Sequence, residues 1–170
     1  AEMDTYTRNS RRRAVWILLT VLWMGVIFFF SAQNAEESSS LSGGITDFIA
    51  HLIRPDLDQL PEADQQAFLN QLSFFVRKGA HFSEYAVLGL LLTGLAGTFA
   101  WNRWIRGLFS WGIGTLYAVS DEFHQTFSDG RSPQLRDVCI DSSGVLFGIL
   151  AMTAICVIIT SICQRNKAKG

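Results

Sequence analysis

The chain has 170 residues, 49% hydrophobic and 17% charged, with a formal net charge of −1. That length suits one domain with its own core. The near-neutral balance excludes a disordered chain, a collagen-like chain and a strongly basic nucleic-acid binder, so no nucleic acid is expected as a partner. The charged fraction lies below the usual quarter and mean hydropathy is +0.23, so the apolar residues are unevenly spread. Three cysteines without a CxxC pair argue against a disulfide framework or a zinc knuckle.

Residues 1–13 form a basic tail ending in Arg11-Arg12-Arg13. Ala14 to Phe30 is then an unbroken uncharged run. A signal peptide also starts basic and turns apolar, but its apolar stretch is only ~7–15 residues and ends in small residues. This run is longer and ends in Phe28-Phe29-Phe30, so it is read as a retained span over about 14–31. The segment 32–79 is patterned for an outer loop. Ile45, Phe48, Ile49, Leu52 and Ile53 share one helical face, and Pro55 stops that helix. Pro61 opens a second, with Phe68, Leu72, Phe75 and Val76 on its apolar face. Both helices are expected either on the outer leaflet or packed against the spans.

Three further spans are expected at about 80–101, 106–127 and 138–163, within a membrane domain covering 14–163 and followed by a short tail, 164–170. A soluble bundle would need polar faces every turn, and Val145 to Ile159 has none. The fold class expected is therefore all-α: a polytopic membrane protein of four transmembrane helices, with amphipathic outer-face helices between spans one and two. Four spans put both termini on one side. That side carries nine Lys and Arg (Arg8, Arg11, Arg12, Arg13, Arg103, Arg106, Arg165, Lys167, Lys169) against five on the other (Arg54, Arg77, Lys78, Arg131, Arg136). The positive-inside rule places both termini in the cytoplasm. Trp16, Trp101 and Trp104 fall near the cytoplasmic boundary, as interfacial aromatics do. Cys139, Cys156 and Cys163 read as small apolar fillers.

This topology collects the polar residues. His81 and Glu84 begin span two, Asp121, Glu122, His124 and Gln125 end span three, and Asp137 and Asp141 begin span four. All then stand at one depth on the outer side. Asp137, Asp141, Gly144 and Gly148 make one stripe of span four, and the Gly144-x-x-x-Gly148 pair permits close helix approach. Gly114, Tyr117, Asp121, His124 and Gln125 make a similar stripe on span three, and His81, Glu84 or Tyr85, and Gly89 on span two. The expected product is a polar pocket between three spans, open outward, with Arg77, Lys78, Arg131 and Arg136 at its rim.

These residues carry a resemblance. Arg77-Lys78-Gly79-Ala80-His81-Phe82-Ser83-Glu84-Tyr85 resembles the RKxxHFxEY motif of the VanZ-like family, and Ser120-Asp121-Glu122-Phe123-His124-Gln125 its SDExHQ motif. Gly130-Arg131 with Asp137, Asp141 and Gly144 resembles its GR…D…D..G segment, and Phe30-Ser31-Ala32-Gln33 its FSxQ element. The elements occur in order from the first span to the last. The resemblance implies a bacterial multi-pass membrane protein of the cell envelope, and a part in resistance to the glycopeptide antibiotic teicoplanin. It implies no settled reaction.

Three readings of the cluster follow. As an enzyme site, His81, Glu84, Asp121, Glu122, His124, Asp137 and Asp141 are the catalytic candidates, acting on envelope lipids as general acids and bases. Alternatively, His81, Glu84, Asp121, His124 and Asp141 would hold a divalent metal ion that activates a water, although no standard zinc signature is present. Arg77, Lys78, Tyr85, Gln125 and Arg131 would hold the ligand, the cations taking a phosphate of a lipid head group or lipid-linked cell-wall precursor. As a binding site, the same pocket would hold such a lipid, or the antibiotic itself, without reaction. As a structural network, the charges would lock the bundle. Seven ionisable groups at one depth, two of them histidines, weigh toward a functional pocket.

Overall fold

The computed structural model describes residues 2–32, 35–126 and 134–167. Among them the regular structure is helical: α1 (Glu2–Ser31), α2 (Ala35–Ile53), a 3-10 turn (Leu57–Gln59), α3 (Glu62–Ala96), α4 (Arg103–Gln125) and α5 (Leu135–Lys167). The α3 helix is the hub. It packs most extensively on α5, and also against α1, α2 and α4.

Helix α3 departs from the expected layout. The outer helix opened by Pro61 does not end before the span; it is the first half of the same helix, which runs 35 residues, or about 50 Å. Between Glu62 and Ala96 there is no proline, and one glycine at the join, Gly79, costs only ~1 kcal/mol of helix propensity. That is too little to break a helix with Glu62 and Asp64 in its first turn and a packed second half. The same helix stops at Ala96, short of the expected 101. The segment 97–102 turns, and Arg106 ties it, donating from Nε to the Trp101 carbonyl (2.8 Å) and from Nη2 to the Phe99 carbonyl (3.4 Å). The next helix is capped by Asn102, whose side chain accepts from the Ile105 N–H at 2.9 Å.

The α2 helix also answers an open alternative. Its small and polar face, Thr46 and Ala50, is buried, and α2 packs on α3. Ile45, Phe48, Leu52 and Ile53 are exposed, Phe48 and Leu52 at 71% each. The apolar stripe thus points away from the bundle.

Close approach of α3 and α5 rests on glycine. A Cβ on Gly144 would collide with the Phe82 carbonyl oxygen, one on Gly148 with that of Ala86, and one on Gly89 with that of Val145. On α4, a Cβ at Gly114 would lie 2.7 Å from both Val145 methyls. The small-residue stripe read on span four is therefore the seam between α3 and α5. Around it lies a small core of Ile27, Tyr85, Leu88, Leu92, Ala118, Val145 and Ile149.

The outside of the molecule is the opposite of a soluble protein's. Leu18, Val21, Leu22, Leu108, Leu116, Leu150 and Ile158 are all more than half exposed, while Asp121, Glu122 and Asp141 are 3%, 5% and 2% exposed. Two helical stretches are long and apolar enough to cross a membrane by themselves: Asn9–Ser31 and Leu135–Lys167, with mean hydropathies of 2.3 and 2.6. The α3 and α4 helices carry polar residues in the same stretch where they carry apolar ones.

Candidate functional site

Three helices carry the carboxylates at one end of the bundle. The first-turn residue Asp137 and, one turn later, Asp141 come from the start of α5. From the last turns of α4 come Asp121, Glu122 and Gln125, and from mid-α3 come Lys78, His81, Glu84 and Tyr85.

Two subclusters result. In the first, Lys78, His81, Glu122, Asp137 and Asp141, with Ile140, surround a space of about 10 Å³, room for one water-sized group. Lys78 Nζ donates to Asp137 Oδ2 at 2.5 Å, joining α3 to α5. Asp137 Oδ1 also lies 3.9 Å from Arg136 Nε. Glu122 Oε2 accepts the Gln134 backbone N–H at 3.0 Å, which ties the end of α4 to the entry of α5 and sets a carboxylate where that helix's dipole favours negative charge. His81 Nδ1 stands 3.9 Å from Glu84 Oε2, a distance short of a hydrogen bond and within reach of proton transfer after a small rotation.

The second subcluster faces α1. Gln125 Nε2 donates to Ser31 Oγ at 2.6 Å and approaches Asp121 Oδ2 at 3.4 Å. The Tyr85 hydroxyl and the Asp121 carboxylate are buried side by side and interact, and Asp141 adds a second acid near that hydroxyl. Tyr117 OH donates to the Met24 carbonyl (2.6 Å), and the Trp23 indole N–H to the carbonyl of Glu84 (2.9 Å). These bonds fix the register of α1 against α3 and α4.

Of the residues singled out from sequence, His81, Glu122, Asp137, Asp141 and Lys78 line one space, and Glu84 adjoins it through His81. Asp121, Tyr85 and Gln125 form the second subcluster. His124 lies near Asp121 but outside the space lined by the first subcluster. Its ring stacks on Phe28 of α1, with centroids 4.4 Å apart. Arg77 is half-buried and does not line the space. Arg131, with Gly130, lies outside the described residues. Among the described residues, no three His, Cys, Asp or Glu side chains converge so as to hold a metal ion.

Sequence reasoning passed over three participants. Ser31 was noted in a motif but not assigned to the site, although its place at the outer end of the first span put it at the right depth. Gln134 enters through its backbone, for which a sequence carries no signal. Phe28 enters the sequence reading only as part of the aromatic end of the first apolar run.

A family model described as VanZ/LLP1 matches residues 16–159, from within α1 to late in α5. No curated protein and no solved structure matches the chain.

Proposed function

This chain belongs to the VanZ/LLP1 family, and from that premise we propose that it is a four-span envelope membrane protein whose outward-facing polar cluster binds the head group of a phospholipid or lipid-linked precursor. Both termini are cytoplasmic in this reading, and the family resemblance adds a role in teicoplanin resistance. The observation that carries it is the burial of Asp121, Glu122 and Asp141 at one end of a bundle with an apolar exterior. Ionisable groups in a membrane segment are costly, and they persist where they serve a ligand, a proton path or one another. Lys78, on the wall of the small space beside Asp137, is the cation that a phosphate oxygen would reach, with the rest of the head group outside the cluster. The His81–Glu84 pair is the place where a proton would be held or moved if the bound head group reacts.

A second reading is favoured by the cross-helix bonds, Lys78 to Asp137 and Gln125 to Ser31: the cluster locks the bundle and binds nothing. One experiment separates the two. His81→Ala and Asp141→Asn are expected to insert and to keep wild-type thermal stability in detergent, but to lose co-purifying envelope lipid and teicoplanin resistance. Loss of folded protein in both would favour the lock. Mass spectrometry of envelope lipids incubated with the wild type divides binding from catalysis. Unchanged lipids that co-purify mean binding; products of altered mass mean reaction.

The topology has its own test in a chain whose cysteines are replaced by serine. A cysteine at position 58 is expected to react with an impermeant maleimide from outside, and one at position 102 only after permeabilisation. The reverse pattern would overturn the orientation.

A further inference from the structure

Away from the carboxylate end, a groove opens between the second half of α5 and the facing ends of α1, α3 and α4. Its volume is about 460 Å³, inside the ~300–1,000 Å³ typical of ligand sites. The α5 wall is one helical stripe, Ile149, Thr153, Val157 and Thr160, about 16 Å long. From Thr153 to Lys167 every residue of α5 is exposed, so this half of the helix stands off the bundle and leaves the slot open at the side.

The mouth has the opposite chemistry to the wall. Arg12, Arg103 and Arg106 lie there, and no Asp or Glu is among the lining residues. Among the described residues none of the three arginines forms an ion pair with a carboxylate. Arg106 is held in place by its bonds to the Trp101 and Phe99 carbonyls. A soluble anion would use the arginines and leave the apolar wall unused. A neutral hydrocarbon would do the reverse.

We propose that this groove holds an anionic phospholipid, its phosphate on Arg12, Arg103 and Arg106 and one acyl chain along the Ile149–Thr160 stripe of α5. Charge complementarity and the open apolar slot argue for this occupant; the proposal rests on the membrane setting of the reading above but not on its carboxylate cluster, which lies elsewhere. A lipid here would cover a helix half that the protein leaves unpacked, and would steady the basic end of the bundle.

The test uses the full chain in detergent with phosphatidylglycerol and phosphatidylcholine of identical acyl chains, read by native mass spectrometry. Phosphatidylglycerol is expected to be retained in preference. The double variant Arg12→Gln/Arg103→Gln is expected to weaken that preference on the order of tenfold or more. Arg106 is left intact because it ties the turn before α4. Thr153→Trp, which fills the wall without touching the charges, is expected to reduce retention of both lipids. With Cys139 and Cys163 replaced by serine, phosphatidylglycerol is expected to slow alkylation of Cys156, which lines the groove. Equal retention of the two lipids, or an unchanged preference in the arginine variant, would overturn the proposal. So would efficient Cys156–Cys156 cross-linking with no lipid retained, because a second copy of the chain would then be the occupant.

Discussion

Gly148→Ala is the sharpest probe of how this bundle is held together. A methyl at Gly148 would meet the Ala86 carbonyl oxygen, with the Leu90 nitrogen 2.7 Å and the Ala86 carbonyl carbon 2.9 Å away. All are backbone atoms of α3, so no side chain can swing aside. The whole helix must retreat along the most extensive contact in the molecule. Over-packing of this kind costs ~1–3 kcal/mol, and a rigid obstacle puts it near the upper value. Against this, alanine gains ~1 kcal/mol over glycine in helix propensity. The net expectation is a loss of about 2 kcal/mol, nearly thirtyfold in the folding equilibrium. Gly112 on α4 supplies the control: a Cβ there meets nothing within 4 Å, so Gly112→Ala is expected to be neutral or stabilising. Thermal unfolding in one detergent, followed by retention of the monodisperse peak, compares the pair. If Gly148→Ala proves as stable as Gly112→Ala, the seam does not set the spacing of α3 and α5, and the packing argument fails.

Other expectations concern the polar links. Ser31→Ala removes the acceptor of the buried Gln125 amide and should cost ~1–2 kcal/mol in the same assay; no change would mean that α1 is registered by its apolar contacts alone. Lys78 and Asp137 should couple in a double-mutant cycle, with Lys78→Met or Asp137→Leu alone each more harmful than the two together, since either single change strands a largely buried charge. His51, outside the spans, donates to the Asp47 carbonyl (2.8 Å) and lies 3.3 Å from Asp58, and these two bonds raise its pKa above the ordinary 6.5. Because the folded-state value is the higher, its small stabilisation is complete below about pH 6.5 and is lost as pH rises through the folded-state value. NMR titration should show Asp58→Asn lowering that midpoint while leaving it above 6.5, because the Asp47 carbonyl is the larger cause; an unchanged midpoint would remove Asp58 from the account.

Helix content and the inward direction of the acids were determined by local pattern. Uncharged runs longer than a turn-rich protein tolerates dictate helices, and a 3.6-residue period places Asp137, Asp141, Gly144 and Gly148 on one face whatever surrounds them. Motif spacing likewise marked His81, Glu122 and Asp141 before any packing was known. The tertiary structure decided what the pattern leaves degenerate. A helical period cannot say where two helices in phase become one, so the join at Gly79 depended on there being no stop signal strong enough to outweigh packing. Nor can it say which face of an amphipathic helix wins a neighbour: α2 gives Thr46 and Ala50 to α3 and leaves Phe48 and Leu52 outside. Spacing placed His124 and Asp121 on the same stripe, but it could not say that the His124 ring would stack on Phe28 of α1. The charge of −1 was similarly silent. Only with the helices aligned do the buried acids collect at one end and the unpaired arginines at the other, because charge distribution depends on contacts between segments far apart in the chain.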